Sequence, residues 1–183
     1  MNDKYFEHIS IAELAEGAGV SVGTFYRRFK DKNALIPLLY EDFGKELDAW
    51  VTELEVHNLV DKEKVFEFLI HETVQFIRKR SGVFRTLHLY ARLYPGLVPE
   101  NKMTARKKEF ERIARWIEKQ LFNGSASGQQ AAKTNMWVFI AVDTLIEKTL
   151  YNNVTPALAC NMEINEFALH LSQNLYNDYK ETL

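Results

Sequence analysis

Apolar residues recur at steps of three and four along almost the whole chain, and strand-type alternation is scarce, so the pattern predicts helices and no sheet. The first helix follows Ser10, an N-cap residue with Glu13 three positions on as a capping box, and ends at the Gly17-Ala18-Gly19 turn. A second, short helix follows Ser21 and runs to Phe29. A third starts after Asp31 and continues through Leu35, Leu38, Leu39, Phe43, Leu47, Trp50 and Leu54. Pro37 is expected in its second turn, where a missing N–H gives a tight or slightly kinked start. Further helices are expected at Val65–Arg80, Phe84–Tyr90, Lys102–Phe122, Gln129–Tyr151 and Ile164–Tyr179. Breaks fall at Tyr94-Pro95-Gly96 and Pro99, at the Asn123–Gly128 loop and around Asn152–Cys160.

Composition adds bounds to this all-α reading. The chain has 183 residues, 46% of them hydrophobic, which is enough for a sizeable core and argues against disorder. With a net charge of −2, any contact with nucleic acid must come from a local patch and not from a basic protein as a whole. The single cysteine, Cys160, cannot close an internal disulfide, and the N-terminus lacks the apolar run of a signal peptide. The longest apolar run, around Met136–Val142, is too short to span a bilayer. A cytoplasmic protein without membrane association is the expectation.

The stretch ISIAELAEGAGVSVGTFYRRFKDK carries the most specific information. Ile11, Leu14 and Ala15 form one apolar face, and Ala15 is small where two helices must approach closely. Gly19 lies four residues on, where the connecting turn calls for positive φ. Val20 and Phe25 can pack a second helix onto the first, which makes a helix-turn-helix whose second helix enters the major groove. From Ser21 to Lys32 there are four cations, Arg27, Arg28, Lys30 and Lys32, against one acid, Asp31. Ser21, Thr24 and Tyr26 add hydroxyls for phosphates or base edges, and Gly23 leaves room for close backbone approach. The competing reading of these residues alone is a helical hairpin with a solvated basic end.

The whole string decides between them. Ile11, Ala12, Leu14-Ala15, Ala18-Gly19-Val20-Ser21, Gly23-Thr24, Tyr26, Phe29, Lys32 and Leu35 together resemble the signature of the tetracycline-repressor-type (TetR) family of bacterial regulators. The resemblance implies that Ser21, Val22, Thr24, Tyr26 and Arg27 face DNA and that Lys32 contacts a phosphate. Thr24 and Tyr26 suit backbone positioning, and Val22 and Arg27 suit sequence reading. The implied architecture is a helix-turn-helix head over residues 1–43 and a helical effector-binding and dimerisation domain over 44–183. Such regulators carry a full helix before the motif. Only ten residues precede Ile11 here, so this first helix is largely missing from the chain. Either the chain starts at an internal methionine or it lacks the element. In the second case the apolar face of Ile11, Leu14 and Phe29 is partly uncovered and the head is expected to be loosely packed.

The remainder resembles the family only in its helices. The run from Trp137 to Ile146 is apolar on nearly every side, and Ile164, Ala168, Leu171, Leu175 and Tyr179 make a stripe. The resemblance implies a homodimer, and Trp137, Ile140, Leu145, Ala168, Leu171 and Leu175 are the expected interface. Two heads would match a palindromic double-stranded operator. Between head and interface the chain is rich in large aromatics. The resemblance places an effector pocket there, for which Phe66, Ile70, His71, Phe84, His88, Tyr94 and Trp116 are candidates, with Arg92 a further polar anchor. Aromatic walls suit a small apolar or aromatic effector. Lys102–Lys119 holds seven cations and three acids, read as a solvated face and not as a second nucleic-acid surface.

No metal-ligand cluster, phosphate-binding glycine loop or nucleophile elbow is present in the sequence, so neither enzyme activity nor a cofactor is expected. The leading reading is a ligand-responsive transcriptional repressor. The alternative is a dimerising, ligand-binding module whose DNA binding is impaired or lost.

Overall fold

The computed structural model describes residues 4–94, 96, 100–151 and 161–183, the side chains of 100–105 excepted. Among the described residues every regular element is helical, as the apolar spacing required. The α-helices are α1 (Ile11–Gly17), α2 (Val22–Arg28), α3 (Ile36–Val56), α4 (Glu63–Lys79), α5 (Ser81–Leu93), α6 (Glu100–Phe122), α7 (Gly128–Tyr151) and α8 (Ile164–Lys180). Short 3-10 turns occupy Phe6–His8 and Lys32–Leu35. The expected loop around Asn152–Cys160 and most of the break at Pro95–Pro99 lie outside the described residues.

Two helix starts differ from expectation. The Lys32–Leu35 turn, capped by Asp31, takes up the residues read as the first turn of α3. Pro37 is therefore the second residue of α3 and not in its second turn, where an N–H would be missed. Helix α5 begins before Phe84, because the Phe84 N–H already bonds the Arg80 carbonyl at 2.9 Å.

The chain forms two compact units, one of Met1–Leu47 with Arg80–Arg106, the other of Asp48–Lys79 with Lys107–Leu183. The head expected over residues 1–43 lies within the first. There Phe6, Ile36 and Tyr90 are buried together, with Leu14, Leu35 and Leu39 packed around them. The Phe6 and Tyr90 rings meet edge to face at 5.7 Å. Phe43 of α3 meets Phe84 of α5 in the same manner at 4.7 Å.

In the second unit α4 packs against α7 and α8, and these two pack against each other. Helix α4 buries Val65, Phe66, Leu69, Ile70, Val74, Phe76 and Ile77 along one stripe. Trp137 of α7 is fully buried, edge-on to Phe66 and Tyr179. Its indole N–H donates to Asp178 at 2.6 Å, and Lys133 donates to the same carboxylate at 2.7 Å. Those two donors hold the Asp178 carboxyl below its ordinary range, the Lys133 bond being the larger cause. Arg112 of α6 bonds Asp48, Thr52 and Glu55 of α3 as well as its own neighbour Glu109.

Candidate nucleic-acid interface

Ser10 and Glu13 form the capping box read from the sequence. The Ser10 hydroxyl accepts the Glu13 N–H at 3.1 Å, and the Glu13 carboxylate accepts the Ser10 N–H at 2.7 Å. Lys4 adds an ion pair to Glu13 at 2.7 Å. The Lys4 hydrogen bond first, then those from Ser10, lower the Glu13 pKa to about 2. Helix α1 ends where Gly19 takes φ +66°, the left-handed conformation that glycine enters without a Cβ clash. The Val20 N–H returns to the Ala15 carbonyl at 2.9 Å, which closes the turn between the two helices.

Helix α2 then starts on Ser21, whose hydroxyl accepts the Thr24 N–H at 3.1 Å. Phe25 is buried and meets Phe29 at 5.2 Å, so the opposite side of α2 faces solvent. That side presents Ser21, Val22, Tyr26 and Arg27, with Thr24 half-buried beside them. Three of these residues are joined. The Ser21 and Thr24 hydroxyl oxygens lie 3.0 Å apart, and Arg27 Nη2 donates to Thr24 Oγ1 at 3.0 Å. The guanidinium is thereby held along the exposed face with further N–H groups unused by this bond. A Cβ added at Gly23 would meet only the Ser21 hydroxyl, at 3.8 Å, so packing within the chain does not require glycine there.

Lys32 sits differently from its neighbours. Its ammonium donates to the carbonyls of Phe6, Glu7 and Ile9 at 2.6, 3.0 and 2.9 Å, and lies 4.9 Å from the Phe6 ring centre. Three donors meet three acceptors, so the side chain is a C-terminal cap for the 3-10 turn at Phe6–His8. Sequence reading did not assign this role, because nothing in the spacing of 26 residues between Phe6 and Lys32 announces it. The available signal was the apolar pair Phe6 and Ile9, which needs an anchor ahead of the Ser10 cap.

Ile11, Leu14 and Phe29 are each half-buried. Beside them an open cavity of about 930 Å³ is lined by Ile9, Leu14, Ala15, Val20, Phe25 and Phe29, among others.

The remaining expected site residues fall into both units. In the second, Phe66, Ile70 and Trp116 are buried and His71 is exposed. Trp116 donates its indole N–H to the His57 carbonyl at 3.0 Å. In the first, Phe84 and His88 are half-buried on α5, His88 is hydrogen-bonded to Arg92, and the half-exposed Tyr94 stacks on Tyr90 at 5.4 Å. Of the expected interface residues, Trp137, Leu145 and Leu175 are buried within the unit, whereas Ile140, Ala168 and Leu171 are half-buried. An all-round apolar helix has an inner and an outer side, and Trp137 and Leu145 lie on the inner one. The outer side carries Met136 and Phe139, and α8 adds Leu169; these three are exposed, and of them only Phe139 lies in the apolar run read as an oligomerisation surface.

A capped, glycine-turned pair of short helices presenting a hydroxyl and guanidinium row defines a helix-turn-helix DNA-binding head on an all-α protein. Residues 2–39 match the family described as bacterial regulatory proteins, tetR family. The N-terminal segment is thus of the tetR-family helix-turn-helix type, and the chain is similar to transcriptional regulators that carry it. It is similar to the uncharacterized HTH-type transcriptional regulator YvdT of Bacillus subtilis (strain 168), 26% identical over 81% of this chain and 74% of that protein. It is also similar to the uncharacterized HTH-type transcriptional regulator YxbF of the same organism, 28% identical over 48% of this chain and 23% of that protein. No solved structure matches the chain. Among the described residues no helix is long and apolar enough to cross a membrane.

Proposed function

We propose that the chain is a ligand-responsive repressor that binds a palindromic operator as a homodimer and leaves it when a small molecule binds. The observation that carries the DNA-binding half is the joined row Ser21–Thr24–Arg27 on the exposed side of α2, with Val22 and Tyr26 beside it. Arg27 suits bidentate base reading, and Ser21, Thr24 and Tyr26 suit phosphate positioning. The Gly23 position, open to solvent without an internal need for glycine, suits close approach of a DNA backbone. Lys32, in this reading, acts first by holding the Phe6–His8 turn against the head.

The dimer is supported by the exposed Met136, Phe139 and Leu169 on α7 and α8, contiguous with the half-buried Ile140, Ala168 and Leu171. Ligand response is supported by packing inside the first unit. Helix α5 touches Phe43 through Phe84, and Phe6 through Tyr90, so a ligand seated against α5 acts on the turn that Lys32 ties down. The ligand favours the conformation that no longer fits the operator, and DNA leaves by population shift.

The test is fluorescence anisotropy with a duplex from upstream of the chain's own gene, over a salt series. Arg27→Ala is expected to weaken specific binding about tenfold or more, and Tyr26→Phe to lower the salt slope by about 1 if its hydroxyl holds a phosphate. Equal, sequence-independent binding by all three proteins would reject the operator reading and favour a module that has lost DNA recognition.

A further inference from the structure

Among the described residues, one cation of the first unit has aromatic neighbours but no hydrogen-bond acceptor or ionic partner. Arg106 of α6 lays its guanidinium against the rings of Tyr40 and Phe43, 4.4 and 4.1 Å from their centres. Both rings are buried on α3. The Arg106 Nη2 is shut off from solvent with no acceptor, and among the described residues the side chain makes no hydrogen bond or ion pair. Desolvation lowers its pKa to about 10, opposed by the Tyr40 oxygen, and among the described residues no carboxylate pairs with it. Arg106 is half-buried, and a desolvated guanidinium N–H without an acceptor is costly unless something else supplies one.

The surroundings say what that something resembles. Phe43 carries Arg106 on one contact and the edge of Phe84 on another. His88 follows Phe84 by one turn of α5 and bonds Arg92, so the same stripe adds polar and cationic groups. A guanidinium held flat against two rings keeps its fork of N–H donors in one plane, which matches a planar anion better than a neutral apolar molecule.

We propose that Arg106 is the anchor for an anionic group, a carboxylate or a phosphate, on the small molecule that binds the first unit. The proposal rests on the ligand-responsive reading above and names the chemistry of its effector. The guanidinium pairs the anion through its unused N–H groups while Tyr40 and Phe43 hold its plane. Phe84 then meets the apolar body of the ligand.

The experiment uses the full chain with benzoate, the neutral isostere benzamide and inorganic phosphate as probes, at constant ionic strength. Calorimetric titration and thermal melting are read for the wild type, Arg106→Met and Arg106→Lys. Benzoate or phosphate is expected to bind the wild type and raise its melting temperature. Benzamide is expected to bind about tenfold or more weakly, and Arg106→Met to abolish that preference. Carboxylate and phosphate ligands are told apart by which anion shifts the melt. Without any probe, Arg106→Met is expected to melt at or above the wild type, because it removes an uncompensated charge. Arg106→Met melting well below the wild type, or both anions binding no better than benzamide, would overturn the proposal. Release of operator DNA separates the two readings. Anion binding that depends on Arg106 but leaves the DNA complex intact upholds the anion site and rejects its role as effector site. Release by benzamide and benzoate alike, in wild type and Arg106→Met, keeps the effector reading and overturns the anion inference.

Discussion

Helices α1 and α2 bury one residue each, Ala15 and Phe25, whereas α4 alone buries eight. The head is held by hydrogen bonds at helix ends: Ser10 with Glu13, Ser21 with Thr24, Asp31 with Ala34, Lys32 with three carbonyls. The second unit is held by apolar contact around Trp137 and Phe66, with Asp178 and Arg112 as polar staples. Caps contribute about 1 kcal/mol apiece, and a buried aromatic several times that. The contrast teaches how a reading surface can coexist with a stable fold. The head keeps its α2 side chains free for a partner and its backbone fixed by local bonds and a small apolar core, while α4 and α7 of the other unit bury far more apolar surface.

The largest effect should therefore follow a change in the second unit. Trp137→Ala removes the contacts to Phe66 and Tyr179 and leaves Asp178 with Lys133 alone. A loss of about 3–5 kcal/mol is expected in urea unfolding followed by circular dichroism. A loss no greater than that of a head cap would erase the contrast. Lys32→Met comes next. It removes the Lys32 bonds from three carbonyls, of which only Phe6's keeps another donor, the Ile9 N–H, and loosens the Phe6–His8 turn, for a loss of about 1–3 kcal/mol. The same variant should lower DNA affinity without touching α2, which tests whether Lys32 supports the reader from behind. Native-state hydrogen exchange sharpens the comparison without mutation. Amides of α1 and α2 are expected to exchange faster than those of α4 and α7, and equal protection would mean one cooperative unit.

What could be read from the sequence divides along the same line. The head was legible residue by residue, because caps and turns are chemistry between near neighbours. Ser10 and Glu13, Gly19, and Ser21 and Thr24 all stand within three residues of their partner or are a single backbone requirement. The Lys32 cap and the stacked Arg106 were not legible, since each depends on a residue far away in the chain. The helices of the second unit were legible as helices, through their stripes, but not by role. Apolar spacing cannot distinguish Trp137, turned toward Phe66, from Phe139 two residues on, which is exposed. Pro37 shows the limit at helix starts. Its place depends on whether residues 32–35 make a 3-10 or an α turn, a difference of one hydrogen-bond register.

The α2 cap isolates function from stability. Ser21→Ala removes the acceptor of the Thr24 N–H and one end of the hydroxyl row, costing about 1 kcal/mol in the head. If that row positions Arg27 on DNA, affinity should fall by more than the loss of head stability alone accounts for. A fall no larger than that would show that Ser21 only starts the helix.

The smallest effect is the pH response of α1. Glu13 has a folded pKa of about 2 against an ordinary value of 4.5, with the Lys4 bond the largest cause and the Ser10 bonds next. A depressed carboxyl pKa means that the charged form is favoured in the folded head. Its contribution is fully present above pH 4.5 and is lost as the pH falls through about 2. Because Glu13 is exposed, water screens the ion pair and the effect on global stability should be slight. The Ser10 and Glu13 amide resonances should nevertheless titrate across that window, reporting loss of the box. In Glu13→Gln they should stay flat while the Trp137 indole N–H still follows Asp178, whose pKa is also lowered. Two independent acid transitions, one in each unit, would mark the head as locally held. A single shared transition would show that the caps and the aromatic core rise and fall together.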